Sequence, residues 1–224
     1  MNSNRKTGGM MTINTDNLLE SILASLDRVD YIRAEDIPDI DLYMDQVTSL
    51  MEERLKPSAR HEDTDKILTR TMINNYAKNE LLPPPVKKKY SREHILLLVF
   101  IYYFKGVLSM GDIQKLLKPL TEKYFHNEES GWSLEEIYET VFSMESGRAQ
   151  EVKEDVKAAY ERAGSLFTDM EDEEEAGMLR NFAFICILSF DVYMKKLMIE
   201  KIIDGLPEQR QPKKKDKKQG DTNG

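Results

Sequence analysis

Apolar residues recur at helical spacing along most of the chain. Leu18, Leu19, Ile22, Leu23 and Leu26 share one face, with Asn14 to Asp16 as cap candidates. After Pro38, the residues Ile40, Tyr43, Met44, Val47, Leu50, Met51 and Leu55 recur at i+3 and i+4 and predict a second helix that stops before Pro57. A short helix is expected over about 69–79, capped by Thr69 and carrying Met72, Ile73 and Tyr76 on its apolar side. Pro83, Pro84 and Pro85 hold the next stretch extended, because proline lacks an amide donor and disfavours helix in the residue before it. Ser91 caps a strongly apolar helix to about Phe104, and Ser109-Met-Gly-Asp112 opens a further one that Pro119 should end.

The C-terminal half continues in the same manner. Ser133-Leu-Glu-Glu136 is a second capping box, for a helix to about Met144. Residues 148–167 read as helix, and so do residues 174–203, which are apolar on all sides from 182 to 188. A helix apolar all round belongs inside a domain. The helix of 91–104 is also apolar on both faces, so the pattern predicts that the C-terminal helix covers it and that the two halves merge in one body. No repeat and no strand-rich region is visible. The expected fold class is all-α, with minimal β structure confined to the segment around 83–90. The expected organisation is a disordered N-terminus (1–13), a first body (14–120), a C-terminal helical domain for packing, self-association or sensing (121–206) and a disordered basic tail (207–224).

Charge changes this picture. The 224 residues carry a net charge of −8, but unevenly. Residues 66–118 hold ten basic and three acidic side chains, a net of +7, between an N-terminal block at −7 and a following block at −11. Charges act over roughly one Debye length of ~8 Å, so a local basic block is felt as such by a polyanion.

On a wheel of ~100° per residue, Arg70, Thr71, Asn74, Asn75 and Lys78 share one exposed arc of the 69–79 helix, opposite Ile73 and Tyr76. Asn pairs bidentately with adenine, Arg with guanine, and Thr meets a thymine methyl or a phosphate. Lys87, Lys88 and Lys89 follow the prolines as a charged strip suited to phosphates, which position but do not specify. Tyr90 and Arg92 add a hydroxyl and a guanidinium within reach of the same backbone. The candidate DNA-binding residues are therefore Thr69, Arg70, Thr71, Asn74, Asn75, Lys78, Lys87, Lys88, Lys89, Tyr90 and Arg92.

The stretch "NNYAKNELLPPPVKKKYSREHI" followed by "GVLSMGDIQKLL" resembles the winged helix-turn-helix of the MerR family of bacterial regulators. Tyr76, Leu81, Leu82, Pro83, Tyr90, Ser91, Ile101, Ser109 and Ile113 carry the likeness. It implies a recognition helix and a basic wing on duplex DNA. Asn74 and Asn75 stand where that family has arginine and a second tyrosine, and Glu80 where it has glycine, with Asn79 available for the left-handed turn. "IPDIDLYMDQVT" together with "TMINNYAKNELLPPPVKKKYSREHILLL" is similar to the bacterial family called domain of unknown function 1836, which brings no activity with it.

Other chemistry is sparse. Cys186 sits in "FAFICILSF" and reads as a buried, inert thiol. His61, His94 and His126 lack metal spacing, no phosphate loop is present, and no carboxylate pair is spaced for acid–base work, so neither a cofactor nor an enzyme activity is expected. The apolar runs 95–104 and 182–190 fall short of the ~20 residues a membrane span requires. No secretory leader pattern is visible, which points to the cytoplasm. The resulting expectation is a DNA-binding transcriptional regulator, a homodimer by analogy with two-fold operators, with no effector implied. The rival is a non-enzymatic adaptor that keeps the winged fold and binds protein, favoured by Asn74, Asn75 and the acidic total.

Overall fold

The computed structural model describes residues 15–26, 32–127, 129, 131–144 and 148–207. The expected disordered termini, 1–13 and nearly all of 207–224, lie outside these residues. In chain order the elements are α1 (Thr15–Leu26), a 3-10 turn (Ala34–Asp36), β1 (Leu42–Tyr43), α2 (Met44–Leu55), a second 3-10 turn (Lys56–Ser58) and α3 (Arg70–Lys78). They continue with β2 (Lys89–Tyr90), α4 (Arg92–Phe104), α5 (Met110–Tyr124), α6 (Leu134–Ser143), α7 (Arg148–Gly164) and α8 (Glu173–Asp204). The fold is predominantly all-α, as the periodicity predicts.

Helix starts follow local chemistry. Thr69 Oγ1 accepts from the Met72 amide at 3.2 Å, and Ser109 Oγ accepts from the Asp112 amide at 3.2 Å. At α6 the Ser133 amide donates to Glu136 Oε2 at 2.8 Å while the Glu136 amide donates to Ser133 Oγ at 3.0 Å. Each such cap satisfies amides that have no partner inside the helix.

Two expectations about boundaries are corrected. Ile40 and Tyr43 do not belong to α2. Residues 42–43 form β1, which pairs antiparallel with β2 in the register Leu42↔Tyr90 and Tyr43↔Lys89. The β structure is therefore not confined to the segment around 83–90; half of it comes from ahead of α2. Pro119 does not end α5, which runs on to Tyr124. Beyond the proline, Leu120 and Tyr124 pack against the core, and that burial outweighs the one helical hydrogen bond the proline removes.

The core centres on α4, where His94 to Ile101 are eight consecutive buried residues. The cover for α4 is not α8. Tyr138 of α6 meets Phe100 edge-on and Phe142 packs tilted against it, with ring centroids 5.3 and 5.4 Å away, and Val47, Met51, Leu55, Ile73, Ile113 and Leu117 share the same core. The Tyr138 hydroxyl donates to the Ile32 carbonyl and ties the segment before β1 to α6. Thus α5 crosses position 120, α6 shares the first core, and the break between packed units falls after α6.

A smaller cluster joins α1, α7 and the first half of α8 around Val156, Ala159, Ala163 and Phe184. Of the 32 residues of α8 only Ala176, Phe184 and Ile203 are buried. Its second half meets the main body near its end, through Ile203 and an ion pair from Lys115 Nζ to Asp204 at 4.0 Å. Cys186 is half-buried, not enclosed as its apolar neighbours suggest.

Candidate nucleic-acid interface

The helix α3 buries Ile73 and Tyr76 and leaves Arg70, Thr71, Asn74, Asn75 and Lys78 exposed, as the wheel predicts. Thr69 is half-buried and its hydroxyl is occupied by the cap. Arg70 pairs with Asp45 of α2. Both side chains are well exposed, so the pair is weak and its guanidinium is available to a stronger anion. At the helix end it is Glu80, at φ 58°, that takes the left-handed conformation, while Asn79 stays at φ −95° and donates from Nδ2 to the Asn75 carbonyl at 2.8 Å. Gln114 of α5 donates to the Asn79 carbonyl at 3.1 Å and fixes this corner to the body.

Beyond the prolines the chain makes a tight hairpin. Val86 and Lys89 exchange both backbone hydrogen bonds, at 3.1 and 2.9 Å. The two residues between them, Lys87 and Lys88, have φ 51° and 65°. Positive φ at both central positions is the requirement of a type I′ turn, whose twist matches that of the strands it joins. That position ordinarily takes Asn-Gly; a lysine with its Cβ there costs about 1 kcal/mol. Lys87 and Lys88 are exposed at the apex. Lys89 is half-buried, its Nζ 5.2 Å from the centre of the Tyr43 ring.

Two residues from the candidate set are held elsewhere. Tyr90 is buried, only 3% exposed, and burial raises the pKa of its hydroxyl; it supports the strand and does not face a phosphate. Arg92 donates from Nη2 to the Ala34 carbonyl at 2.6 Å and pairs with Glu135 at 3.0 Å and Asp39 at 3.8 Å. It clamps the segment before β1 to α6. Lys105, another member of the basic block, turns inward as well. Its Nζ donates to the Ile67 carbonyl at 2.8 Å and lies 4.5 Å over the Tyr102 ring, and burial lowers its pKa. The +7 block is therefore not one continuous edge; besides Lys66 and Lys115 its exposed charge lies on α3 and the hairpin apex.

His94 is a residue that the sequence pattern does not single out. It is buried beneath the proline segment, edge-on to Tyr90 and Phe125 at 5.5 and 4.8 Å between centroids. Its Nδ1 accepts from the Ser91 amide at 3.0 Å, so the neutral ring carries its proton on Nε2. Burial lowers its pKa to about 4; the Pro84 and Pro83 carbonyls and Asp41 act to raise it, and His126 to lower it. The only early signal was its place three residues after Ser91, at the glutamate position of a capping box.

Among the described residues no group of three or more His, Cys, Asp or Glu side chains is placed to hold a metal ion. No described helix is long and apolar enough to cross a membrane. No curated protein and no solved structure matches the chain. Residues 32–141, the stretch that builds the main core, α3 and the hairpin, match the model of the family described as "Domain of unknown function (DUF1836)", which supports membership of that family for this part of the chain.

Proposed function

We propose that the protein is a transcriptional regulator that binds duplex DNA through α3 and the lysine-tipped hairpin, a winged helix-turn-helix of MerR-like order. The observation that carries this reading is the pair Lys87–Lys88 at the apex of the hairpin, both in left-handed backbone. Left-handed lysines are retained against their strain where the charge at that place has a use. The polar arc Arg70, Thr71, Asn74, Asn75 and Lys78 gives the base-reading surface beside it. Four basic side chains of the candidate set are exposed: Arg70, Lys78, Lys87 and Lys88. Four phosphate contacts give a log–log salt slope of about −3.6. Fluorescence anisotropy with labelled duplex across salt concentrations tests this, and a flat salt dependence removes the proposal. In Lys87→Asn/Lys88→Gly the slope should shrink by about 2 units.

One observation favours an adaptor that binds protein. Asp39 and Asp45 are exposed beside Arg92 and Arg70 and set negative charge next to the basic surface. Under that reading, changing Lys87, Lys88 and Lys89 to Ala leaves DNA behaviour unchanged and abolishes a protein complex.

A further inference from the structure

We infer that the cleft at the C-terminal end of α4 binds a phosphate monoester carrying a planar ring, the chemistry of a nucleoside monophosphate. The cleft has a volume of about 520 Å³, within the range of small-molecule sites. One wall is the segment 58–67, which leads into α3, and the other is the last turn of α4 with Lys105 and Gly106. The hairpin stands at the opposite end of α4, a helix of 13 residues and roughly 20 Å. That is more than a Debye length, so the cleft and the hairpin are separate sites for an anion.

Charge sets the sign of the ligand. Arg60, Lys66 and Lys105 line the cleft, and none of the three has an ion-pair partner among the described residues. Asp65 is the one carboxylate in the lining, and its Oδ2 accepts from the His61 amide at 3.0 Å. Glu62 and Asp63 are exposed on the same loop, outside the lining. Three cations less one carboxylate leave the lining at +2, the complement of a phosphate monoester near neutral pH. Lys105 is the clearest sign of a missing anion. Its half-buried ammonium has the Ile67 carbonyl at 2.8 Å and the Tyr102 ring at 4.5 Å. A carbonyl and a ring face offset the desolvation of a full charge only in part, and a bound anion completes it.

Shape calls for more than a bare anion. Tyr102 and Tyr103 form an aromatic wall, their ring centroids 5.6 Å apart and their planes at 78°. Ser58 Oγ donates to the Leu55 carbonyl at 2.7 Å and lies 3.4 Å from the Tyr102 hydroxyl, which holds that ring in place. A phosphate group alone fills a small part of the cleft. A purine or pyrimidine packed on the tyrosines occupies the rest.

Calorimetric titration of the full chain with the four ribonucleoside 5′-monophosphates tests this without DNA, so its failure leaves the DNA-binding reading standing. At least one should bind with a Kd below about 1 mM. Inorganic phosphate and the matching nucleoside should each bind at least about tenfold more weakly, since each fills half of the site. Lys105→Met should weaken the nucleotide about tenfold or more. Arg60→Ala/Lys66→Ala, at exposed positions outside the core, should weaken it by a similar factor with the helical circular dichroism retained. No binding by any of the four, inorganic phosphate or nucleoside binding as tightly as the nucleotide, or an affinity unmoved in both variants overturns the inference.

Discussion

Two helices of this chain, α4 and α8, are written in nearly the same apolar alphabet and meet opposite fates. In α4, eight of thirteen residues are buried in one run; in α8, three of thirty-two are. The difference lies in the neighbours. Around α4 are helices from both directions in sequence and an aromatic cluster from α6. Around α8 there is α7, which ends after 17 residues, and a single anchorage on α5. Apolarity states that a face needs cover. It does not state whether the cover comes from the same chain.

The sharpest way to break the contrast is truncation in each helix. Leu97→Ala, at a fully buried α4 position, should cost about 3–4 kcal/mol by loss of transfer energy and by the cavity left behind. Ile185→Ala, at an exposed α8 position, should change stability by less than about 0.5 kcal/mol. Urea unfolding of both variants measures the pair, and equal losses would erase the distinction.

Acid should act on the α4 body through His94. Its pKa is about 4 in the folded chain and about 6.5 when unfolded, so between those values the unfolded state binds the extra proton. Stability from this group is therefore complete above pH ~6.5 and falls as the pH drops toward ~4, by on the order of 3 kcal/mol. His94→Phe keeps the ring contacts with Tyr90 and Phe125 and should flatten that limb of the stability–pH curve.

Arg92→Ala should lower stability by about 2 kcal/mol, since a charged donor leaves the Ala34 carbonyl and Glu135, while leaving the salt slope of DNA binding where it was. A changed slope would return Arg92 to the interface. The smallest effect has the opposite sign. Lys87→Asn/Lys88→Gly should raise the melting midpoint, worth about 1–2 kcal/mol, while weakening DNA binding. A variant whose midpoint does not rise would show that the turn stores no such strain.

What was legible in the sequence follows the same division. Thr69, Ser109 and Ser133 mark helix starts through contacts three residues away, and α3 with its exposed arc could be drawn from the chain alone. Leu42 pairs with Tyr90 across two helices, and nothing near Leu42 announces it. Charge and hydroxyl are visible in a sequence and point Arg92 and Tyr90 toward DNA, whereas the Ala34 carbonyl and Glu135 that occupy Arg92 are not visible there. The turn of Lys87 and Lys88 was hidden for a different reason. Their residue types argue against left-handed backbone, and only the closed hairpin imposes it.

The short sheet has a consequence for how the molecule assembles. Leu42–Tyr43 and Lys89–Tyr90 tie the two ends of a single loop that contains α2 and α3. Closing such a loop is entropically expensive until its contents are packed. The short sheet and the packing of α2 and α3 therefore support one another, and loosening either one withdraws the restraint on the other.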